Sequence, residues 1–559
     1  MYNHIVDHAK FFADFLESRL AVVHTILRRY QSKEVVDDEV RRSTEALRHI
    51  QEIERYFHLA PLSLETASFL PLNLPLYSFV LFAVMPAYQS VKLTIRPPQR
   101  MQELFTKLFH ELCFKDYYPN INLFSGSQNE FLSSCCRTAS VVIFTGKYEN
   151  SLSVRRICSR NALVLYSGVG HNPLVITSSA DINLAVEKTL QVKMFNSGQD
   201  CAGPDIILVH RSVADTFLER LLEKLSRVKC DCSYEDDAVV GPLFETSSLL
   251  NVAKLLSEMS EQGAIIHYGG QLDLKHNIVY PCVVRASLRQ MQNFRELYSP
   301  VLVVTEYESD QELSLYFDNA NARYQLNEMY VSLFGESKYV EGKRGSIILK
   351  NCTVQDVERG TEEYGGYSPG ASSVSHQGIS IAKPIFIPRE IHNFLSPRGQ
   401  KMFASIPKVK GNWLRQVIST QFQEIVQQIF GNELVFAYIF GSCATEDGRR
   451  YSDIDTLVCV YSRKTEQIER YLEWLFFAHQ MFGRIPDFKY PAEILPVTFE
   501  VVQAISHNCL YEKQRKNNEI RSFELGRAQT PSVPLQQRGS GNPATHGRGN
   551  EQKPQYDCT

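Results

Sequence analysis

The chain has almost no excess charge of either sign: 59 Lys and Arg stand against 62 Asp and Glu, a net of −3. That balance does not point to nucleic acid or to an anionic membrane surface as a partner. Long apolar runs are also missing. The nearest, Phe69 to Ala87, is broken by Pro71, Asn73, Pro75 and Pro86, which suits a buried turn and a short helix better than a membrane span. The chain opens without a secretory leader and its 13 cysteines are scattered. This predicts reduced thiols and a cytoplasmic location rather than a disulfide framework. Cys230-x-Cys232 and Cys135-Cys136 have no second pair at zinc-ligand spacing and read as structural or incidental. There is no G-x-G-x-x-G, so the ordinary dinucleotide fingerprint is absent.

What is present is a globular composition, 44% hydrophobic and 22% charged, over 559 residues. That length is too great for one core and predicts two or three domains. Residues 1–60 are helical in pattern, with Phe11, Phe12, Phe15, Leu16, Leu20, Val23 and Ile26 on one side and a second helix from Ser43. Between them, Glu34 to Arg42 reads as a solvated connection. Residues 526–559 are rich in Gln, Pro, Gly, Ser and Asn, cannot bury a core, and are expected to be disordered.

The centre of the sequence is Phe195-Asn196-Ser197-Gly198-Gln199-Asp200-Cys201-Ala202-Gly203, followed by an amphipathic helix from Ser212 to Leu225. A thiol on a tight turn ahead of a packed helix is held rigidly, and it attacks carbonyls once it is a thiolate. The alternative for Cys201 is a buried structural thiol. The loop resembles the Gly-Gln-x-Cys nucleophile motif of the aldehyde dehydrogenase superfamily, and the resemblance extends over about residues 60–395. Leu70-Pro71-Leu72-Asn73-Leu74-Pro75 is similar to the family's Pro-x-Asn-x-Pro. The resemblance implies that the Asn73 amide helps hold the oxyanion, where a fixed donor is worth about 3 kcal/mol; the plainer alternative is a turn residue between prolines. Phe294-Arg295-Glu296-Leu297-Tyr298-Ser299-Pro300-Val301 is similar to Glu-x-Phe-Gly-Pro-Val. This implies that Glu296 holds the nicotinamide ribose and Tyr298 flanks the ring; a solvated loop glutamate is the alternative. Residues Glu363 to Gly378 look like the family's closing glycine-rich loop.

Three departures from the family pattern matter. Arg96-Pro97 stands where the family has Lys-Pro, and Gln99 where NAD-preferring members often have Glu. Loss of that carboxylate removes repulsion against a 2′-phosphate, which Arg96 and Arg100 can pair with, so NADP is as compatible as NAD. Val141-Val142-Ile143-Phe144-Thr145-Gly146 is similar to a strand ending in Phe-Thr-Gly-Ser, but the family's second glycine is Ser151 here. Finally, Leu163 to Pro173 resembles Leu-Glu-Leu-Gly-Gly-Lys-x-Pro, and the glutamate falls on Ser167. That glutamate is the general base for hydrolysis, and a hydroxyl does not replace it at neutral pH.

Behind a Lys- and Pro-containing linker at residues 396–412, a predicted helix Trp413–Phe430 and a strand Leu434–Phe440 lead to Gly441-Ser442, with Asp453-Ile454-Asp455 opening the next strand. Alternation puts Asp453 and Asp455 on one face, where two carboxylates are a natural divalent-cation site. The pattern resembles the polymerase-β-like nucleotidyltransferases over about residues 411–525. It implies Gly441 and Ser442 at the triphosphate and Mg²⁺ on Asp453, Asp455 and Glu493, with Asp487 as second candidate for the third carboxylate. The alternative is a domain that binds nucleotide without turnover.

The fold class expected is therefore α/β multidomain. After the N-terminal helices (1–60) comes an aldehyde-dehydrogenase-like, Rossmann-type cofactor and oligomerisation region (61–193 with part of 360–395) and a catalytic α/β domain (194–360). A small α+β nucleotidyltransferase domain (413–525) and the tail follow. The function expected is bifunctional: an NAD(P)-dependent aldehyde dehydrogenase or acyl reductase working through a cysteine thioester, plus a Mg²⁺-dependent nucleotidyltransferase. Its partners are an aldehyde or activated acyl substrate, an NTP and, by resemblance, further copies of itself. The competing reading is an impaired dehydrogenase-like scaffold carrying an active nucleotidyltransferase.

Overall fold

The computed structural model describes residues 4–58, 64–288, 296–317 and 329–396 apart from positions 169, 205, 235–236, 315, 344–345, 369 and 378; beyond them it describes 426–431, 434–440, 455–460, 467 and 556–557. The chain divides into two compact units: Met1–Lys408 with two short later segments, and Val409–His479 with Pro486–Pro554.

The first unit opens with helices α1 (Ile5–Ser18), α2 (Leu20–Leu27) and α3 (Lys33–Arg48), the last tightening into a 3₁₀ stretch, His49–Tyr56. The expected solvated connection at Glu34–Arg42 is instead part of α3. Ser32 caps the helix by accepting from the Val35 N–H at 3.3 Å, and Val35, Val36 and Val40 are buried. Spacing of the valines on one face outweighs the density of charge, and the buried charges of this segment find partners inside the protein. Phe11 and Leu20, grouped by sequence with the apolar side, are 63% and 40% exposed.

Two sheets follow. The first is seven-stranded, in the order β16-β15-β5-β4-β1-β2-β3. Its strands are β1 (Glu65–Phe69), β2 (Lys92–Arg96), β3 (Ile121–Leu123), β4 (Val141–Thr145), β5 (Leu163–Ser167), β15 (Ser372–His376) and β16 (Ile379–Ala382). The pairings from β3 through β5 are parallel, and β15–β16 is an antiparallel hairpin laid along β5. Strands such as Val141-Val142-Ile143-Phe144 are buried on both faces, hence continuous apolar runs. The chain reverses direction across the sheet between β1 and β4, and the crevice for a ligand lies beyond the carboxyl ends of the strands at such a point. Phe69 to Ala87 is the end of β1, a turn and a buried helix of which α4 (Pro75–Phe79) is the first part. Among the described residues no helix is long and apolar enough to cross a membrane.

The second sheet has the order β19-β14-β13-β6-β7-β12-β11-β8. It comprises β6 (Leu174–Ile176), β7 (Ile206–His210), β8 (Ile265–Tyr268), β11 (Cys282–Ala286), β12 (Val301–Tyr307), β13 (Tyr330–Phe334), β14 (Ile347–Lys350) and β19 (Tyr556–Asp557). A short hairpin, β9 (Leu272–Asp273) and β10 (Ile278–Val279), stands apart from it. All pairings are parallel except β11 with β8. The sequence places the packed helix at Ser212–Leu225, and the structure agrees to within one residue. Strand β7 precedes it and the helix is Arg211–Leu225, burying Ala214, Phe217, Leu218, Leu221 and Leu225. The run Ile206-Ile207-Leu208-Val209 is short, continuously apolar and buried, as a strand covered on both faces requires.

In the second unit, β17 (Leu434–Phe440) and β18 (Asp455–Val460) pair antiparallel, with Phe440 opposite Asp455. The linker beyond residue 396, most of the helix expected at 413–430 and nearly all of the tail lie outside the described residues.

Candidate functional site

Helix Ile182–Met194, capped by Asp181 on the N–H groups of Asn183 and Leu184, delivers the chain to the cysteine loop. There Asn196, Ser197 and Gly198 take positive φ values of 50°, 56° and 73° in succession. Two non-glycine residues in this region are strained, and they persist only where surrounding contacts fix them. Those contacts are present. Ser197 Oγ accepts from the Gly241 N–H at 2.9 Å and meets the Tyr234 hydroxyl at 2.8 Å. Gln199 donates to the Asn196 carbonyl at 3.1 Å and accepts from the Phe244 N–H at 2.8 Å. Asn172 donates to the Cys201 carbonyl at 2.8 Å, and its own Oδ1 accepts from the Tyr330 N–H at 3.3 Å. The thiol is thus carried on an over-determined turn.

The sulfur lies 2.8 Å from the hydroxyl of Tyr364. Burial pushes the Cys201 thiol well above its usual range, and the carboxylates of Asp200, Glu296 and Glu358 add to the rise while the Tyr364 hydrogen bond opposes it. Tyr364 is itself pinned: its N–H and C=O pair with the backbone of Ile385 at 3.0 and 2.8 Å, and its ring packs against Tyr330 with centroids 5.7 Å apart. Burial raises its phenol well above the usual value, so it stays protonated. The sequence located the glycine-rich segment containing Tyr364 and did not single out this residue. The available signal was an aromatic hydroxyl directly before Gly365-Gly366.

Glu296 reaches the same place through a close backbone approach. A β-carbon on Gly198 would stand 2.7 Å from the Pro300 nitrogen, overlapping the Ser299 carbonyl as well. The Glu296–Pro300 loop therefore lies directly on the cysteine loop. The Glu296 charge acts on both Cys201 and Tyr166, and Tyr298 sits beside it at φ 41°. Asn73 lies in the turn before α4, where its carbonyl accepts from Ser78 Oγ at 3.1 Å and the next residue, Leu74, is left-handed at φ 51°. Leu74 shares a buried cluster with Val35, Tyr77 and Phe195, so the Asn73 turn abuts the start of the cysteine loop. The hydroxyl that contacts the sulfur belongs to Tyr364.

The remaining expected residues line the carboxyl ends of the first sheet. Arg96 ends β2, is 8% exposed, and its Nε has no hydrogen-bond partner among the described residues; burial lowers its pKa. Gln99 is exposed at the start of a short 3₁₀ turn. Gly146 follows β4 at φ 146° and precedes helix Tyr148–Ile157. Its N–H donates to the Ser167 carbonyl at 3.1 Å, and its carbonyl accepts from the Tyr166 hydroxyl at 3.1 Å. Tyr166 also donates to the Gly370 carbonyl at 3.0 Å, tying the glycine-rich segment to β4. Ser151 is buried, and its hydroxyl is spent on the Tyr148 carbonyl at 2.6 Å. Ser167 is held on both sides in the sheet, opposite Thr145 of β4 and Ser372 of β15.

A buried charge network that sequence reasoning missed borders the site. Arg42 of α3, 2% exposed, pairs with Asp38 at 2.6 Å and Glu358 at 3.0 Å, and lies 4.7 Å over the Tyr77 ring and 5.5 Å over that of Phe195. The Tyr77 hydroxyl donates to Glu358 at 3.0 Å and its N–H donates to Glu39 at 2.9 Å.

In the second unit the pairing of Phe440 with Asp455 brings the end of β17 and the start of β18 together. The positions following residue 440 and preceding residue 455 thus leave one end of the ladder. Gly441, Ser442, Asp453, Glu493 and Asp487 lie outside the described residues, as does the side chain of Asp455.

Two family profiles match the chain: the aldehyde dehydrogenase family over residues 37–326 and a nucleotidyltransferase domain over residues 419–511. The lactaldehyde dehydrogenase of Methanococcus aeolicus is 29% identical over 178 residues, covering 32% of this chain and 38% of its own length. The betaine aldehyde dehydrogenase of Bacillus subtilis is 25% identical over 257 residues, covering 44% of this chain and 52% of its own length. The chain thus spans about half, or less, of the curated relatives it matches. Among solved structures, the NADP-dependent glyceraldehyde-3-phosphate dehydrogenase of Bacillus halodurans, complexed with NADP, superposes with a TM-score of 0.57 at 18% identity, over 67% of this chain and 84% of that one. The betaine aldehyde dehydrogenase of Staphylococcus aureus in complex with NAD⁺ gives 0.58 at 19% identity, over 70% and 80%. At these identities the likeness is one of fold.

Proposed function

We propose, from the premise that this chain belongs to the aldehyde dehydrogenase family and carries a nucleotidyltransferase domain behind it, that it is an NAD(P)-dependent oxidoreductase working through a thioester on Cys201. The observation that carries this reading is the seating of the Glu296 loop on the cysteine loop at Gly198, which gathers the nucleophile and the residue assigned to the nicotinamide ribose. In the forward direction the sulfur lone pair forms an S–C bond to an aldehyde carbon and the carbonyl π pair moves to oxygen, towards Asn73 and the Cys201 N–H. Loss of hydride from that carbon leaves a thioester.

Ser167 carries no carboxylate to activate water. The acyl group is therefore passed to an acceptor nucleophile, or the reverse reaction reduces an activated acyl donor to the aldehyde.

The chain's residues suit a dinucleotide. Arg96, buried with an unsatisfied Nε at the carboxyl edge of the sheet, offers a cation to a ribose or its 2′-phosphate, and Gly146 opens a ten-residue helix whose N-terminus favours a phosphate. Nicotinamide, when bound, accepts or supplies the hydride. Gln99 in place of a carboxylate makes NADP as acceptable as NAD. In the second unit, Asp453 and Asp455 with Glu493 are assigned to Mg²⁺ and Gly441-Ser442 to the triphosphate of an NTP. The reading divides the chain as the sequence predicts, and takes the protein to be a cytoplasmic homo-oligomer.

The test is turnover by the full chain with NADP⁺ or NADPH against a panel of aldehydes and activated acyl donors, compared with Cys201→Ala. Cys201-dependent turnover in either direction supports the proposal. Dinucleotide binding without any turnover overturns it. That second outcome, together with Asp453-dependent nucleotidyl transfer, is what the scaffold reading expects, and the raised pKa of the Cys201 thiol among three carboxylates is the observation in its favour.

A further inference from the structure

We propose that Tyr364 is a catalytic residue of this chain: its phenol O–H donates to the Cys201 sulfur, stabilising the thiolate both as attacking group and as leaving group. The inference rests on the reading of Cys201 as nucleophile. Its geometric basis is the 2.8 Å contact between hydroxyl and sulfur and the fixing of Tyr364 by two backbone bonds to Ile385 and by the Tyr330 ring. The backbone bonds fix the main chain at Tyr364 and the Tyr330 ring packs against its side chain, so the hydroxyl is preorganised on the sulfur.

The electrostatics require such a donor. The charged groups facing the sulfur are Asp200 in its own loop, Glu296 from the loop seated on Gly198, and Glu358 from the segment after β14, all carboxylates that oppose a thiolate. Arg42, the cation that acts on Asp200 and Glu358, is occupied by Asp38 and Glu358. Tyr364 is the group whose interaction favours the charged sulfur. Burial keeps the phenol protonated, so it donates rather than competing as a second anion.

The steps balance without any change of bonding at Tyr364. The thiol proton leaves to water, and the phenol O–H turns to the sulfur. Addition forms the S–C bond. When an acceptor nucleophile attacks the thioester, the C–S bond breaks with its electron pair returning to sulfur, where the phenol receives it. This assistance to the departing sulfur serves any acceptor; with no carboxylate at Ser167 to activate water, thiol, amine or phosphate acceptors are favoured over hydrolysis.

The experiment is the pH dependence of Cys201 alkylation by iodoacetamide in the full chain, followed peptide by peptide by mass spectrometry, with exposed Cys232 as internal reference. Tyr364→Phe is expected to move the Cys201 midpoint up by about one pH unit or more, tenfold less thiolate at fixed pH, while Cys232 is unchanged. Tyr330→Phe leaves both midpoints in place. Tyr364→His keeps an N–H donor, and its midpoint is expected within about half a unit of wild type; it supplies a reading should the Phe variant not fold. A Cys201 midpoint that is unchanged or lower in Tyr364→Phe, or a His variant that behaves no differently from Phe, overturns the proposal. The titration needs no turnover, so failure of the redox reading and failure of the Tyr364 assignment are seen separately.

Discussion

Gly198 lies beneath the Ser299–Pro300 peptide, so that a β-carbon there would come within 2.7 Å of the Pro300 nitrogen. Two loops far apart in sequence are thereby locked together, one bearing Cys201 and the other Glu296. Gly198→Ala adds the strain of a side chain at φ 73°, about 1–2 kcal/mol, to an overlap costing about 1–3 kcal/mol. The expected result is a loss of about 2–5 kcal/mol in urea unfolding, together with loss of Cys201-dependent turnover as the Glu296 loop is lifted.

Glu39 gives a pH signature. It is fully buried between α3 and α4, and burial pushes its carboxyl from 4.5 up to about 7, opposed by the N–H groups of Tyr77 and Leu76, the Gln31 amide and the Arg42 charge. The folded state therefore holds a proton that the unfolded state releases, and stability falls as pH rises from about 4.5 to 7, then stays level. Glu39→Gln keeps an acceptor for Tyr77 and removes the ionisation. It is expected to flatten that window and to raise stability at pH 8 by an amount on the order of 3 kcal/mol, read from urea midpoints across pH.

Arg42→Ala removes the buried cation that the partly buried carboxylates of Asp38 and Glu358 share. Removing one partner of a buried pair costs about 3–5 kcal/mol, whereas exposed pairs such as Lys107–Glu103 are worth less than about 1 kcal/mol. Chemical denaturation of Arg42→Ala beside Lys107→Ala should separate the two by that margin.

Cofactor choice is tested at Gln99. Gln99→Glu places a carboxylate next to Arg96, and calorimetric titration is expected to show NADP affinity down at least about tenfold with NAD affinity little changed. Equal effects on both dinucleotides would remove the 2′-phosphate assignment.

Ser167→Glu restores a base at the end of β5. Release of free acid from an aldehyde and NAD(P)⁺ is expected to rise by about 10²-fold, measured against transfer to an added thiol acceptor.

The segments of the site were legible in the sequence because each is local: a cysteine loop of Gly, Gln and Cys, a proline-flanked Asn73 turn, strands that are unbroken apolar runs, and the paired strands around residues 441 to 454. Even the absence of a base at Ser167 is a matter of one residue in one strand. One reading failed and one residue was missed, for the same reason. Glu34–Arg42 has the charge of a surface connection, and only the fold supplies Glu358 to neutralise Arg42. Tyr364 is one tyrosine among 27 until the bridge to Ile385 sets its hydroxyl on the sulfur. The sequence by itself determined which chemical groups are available and which backbone turns hold them. The tertiary structure alone decided which of them share a buried volume, because hydrogen bonds and desolvated charges act over a few ångströms of space and not along the chain.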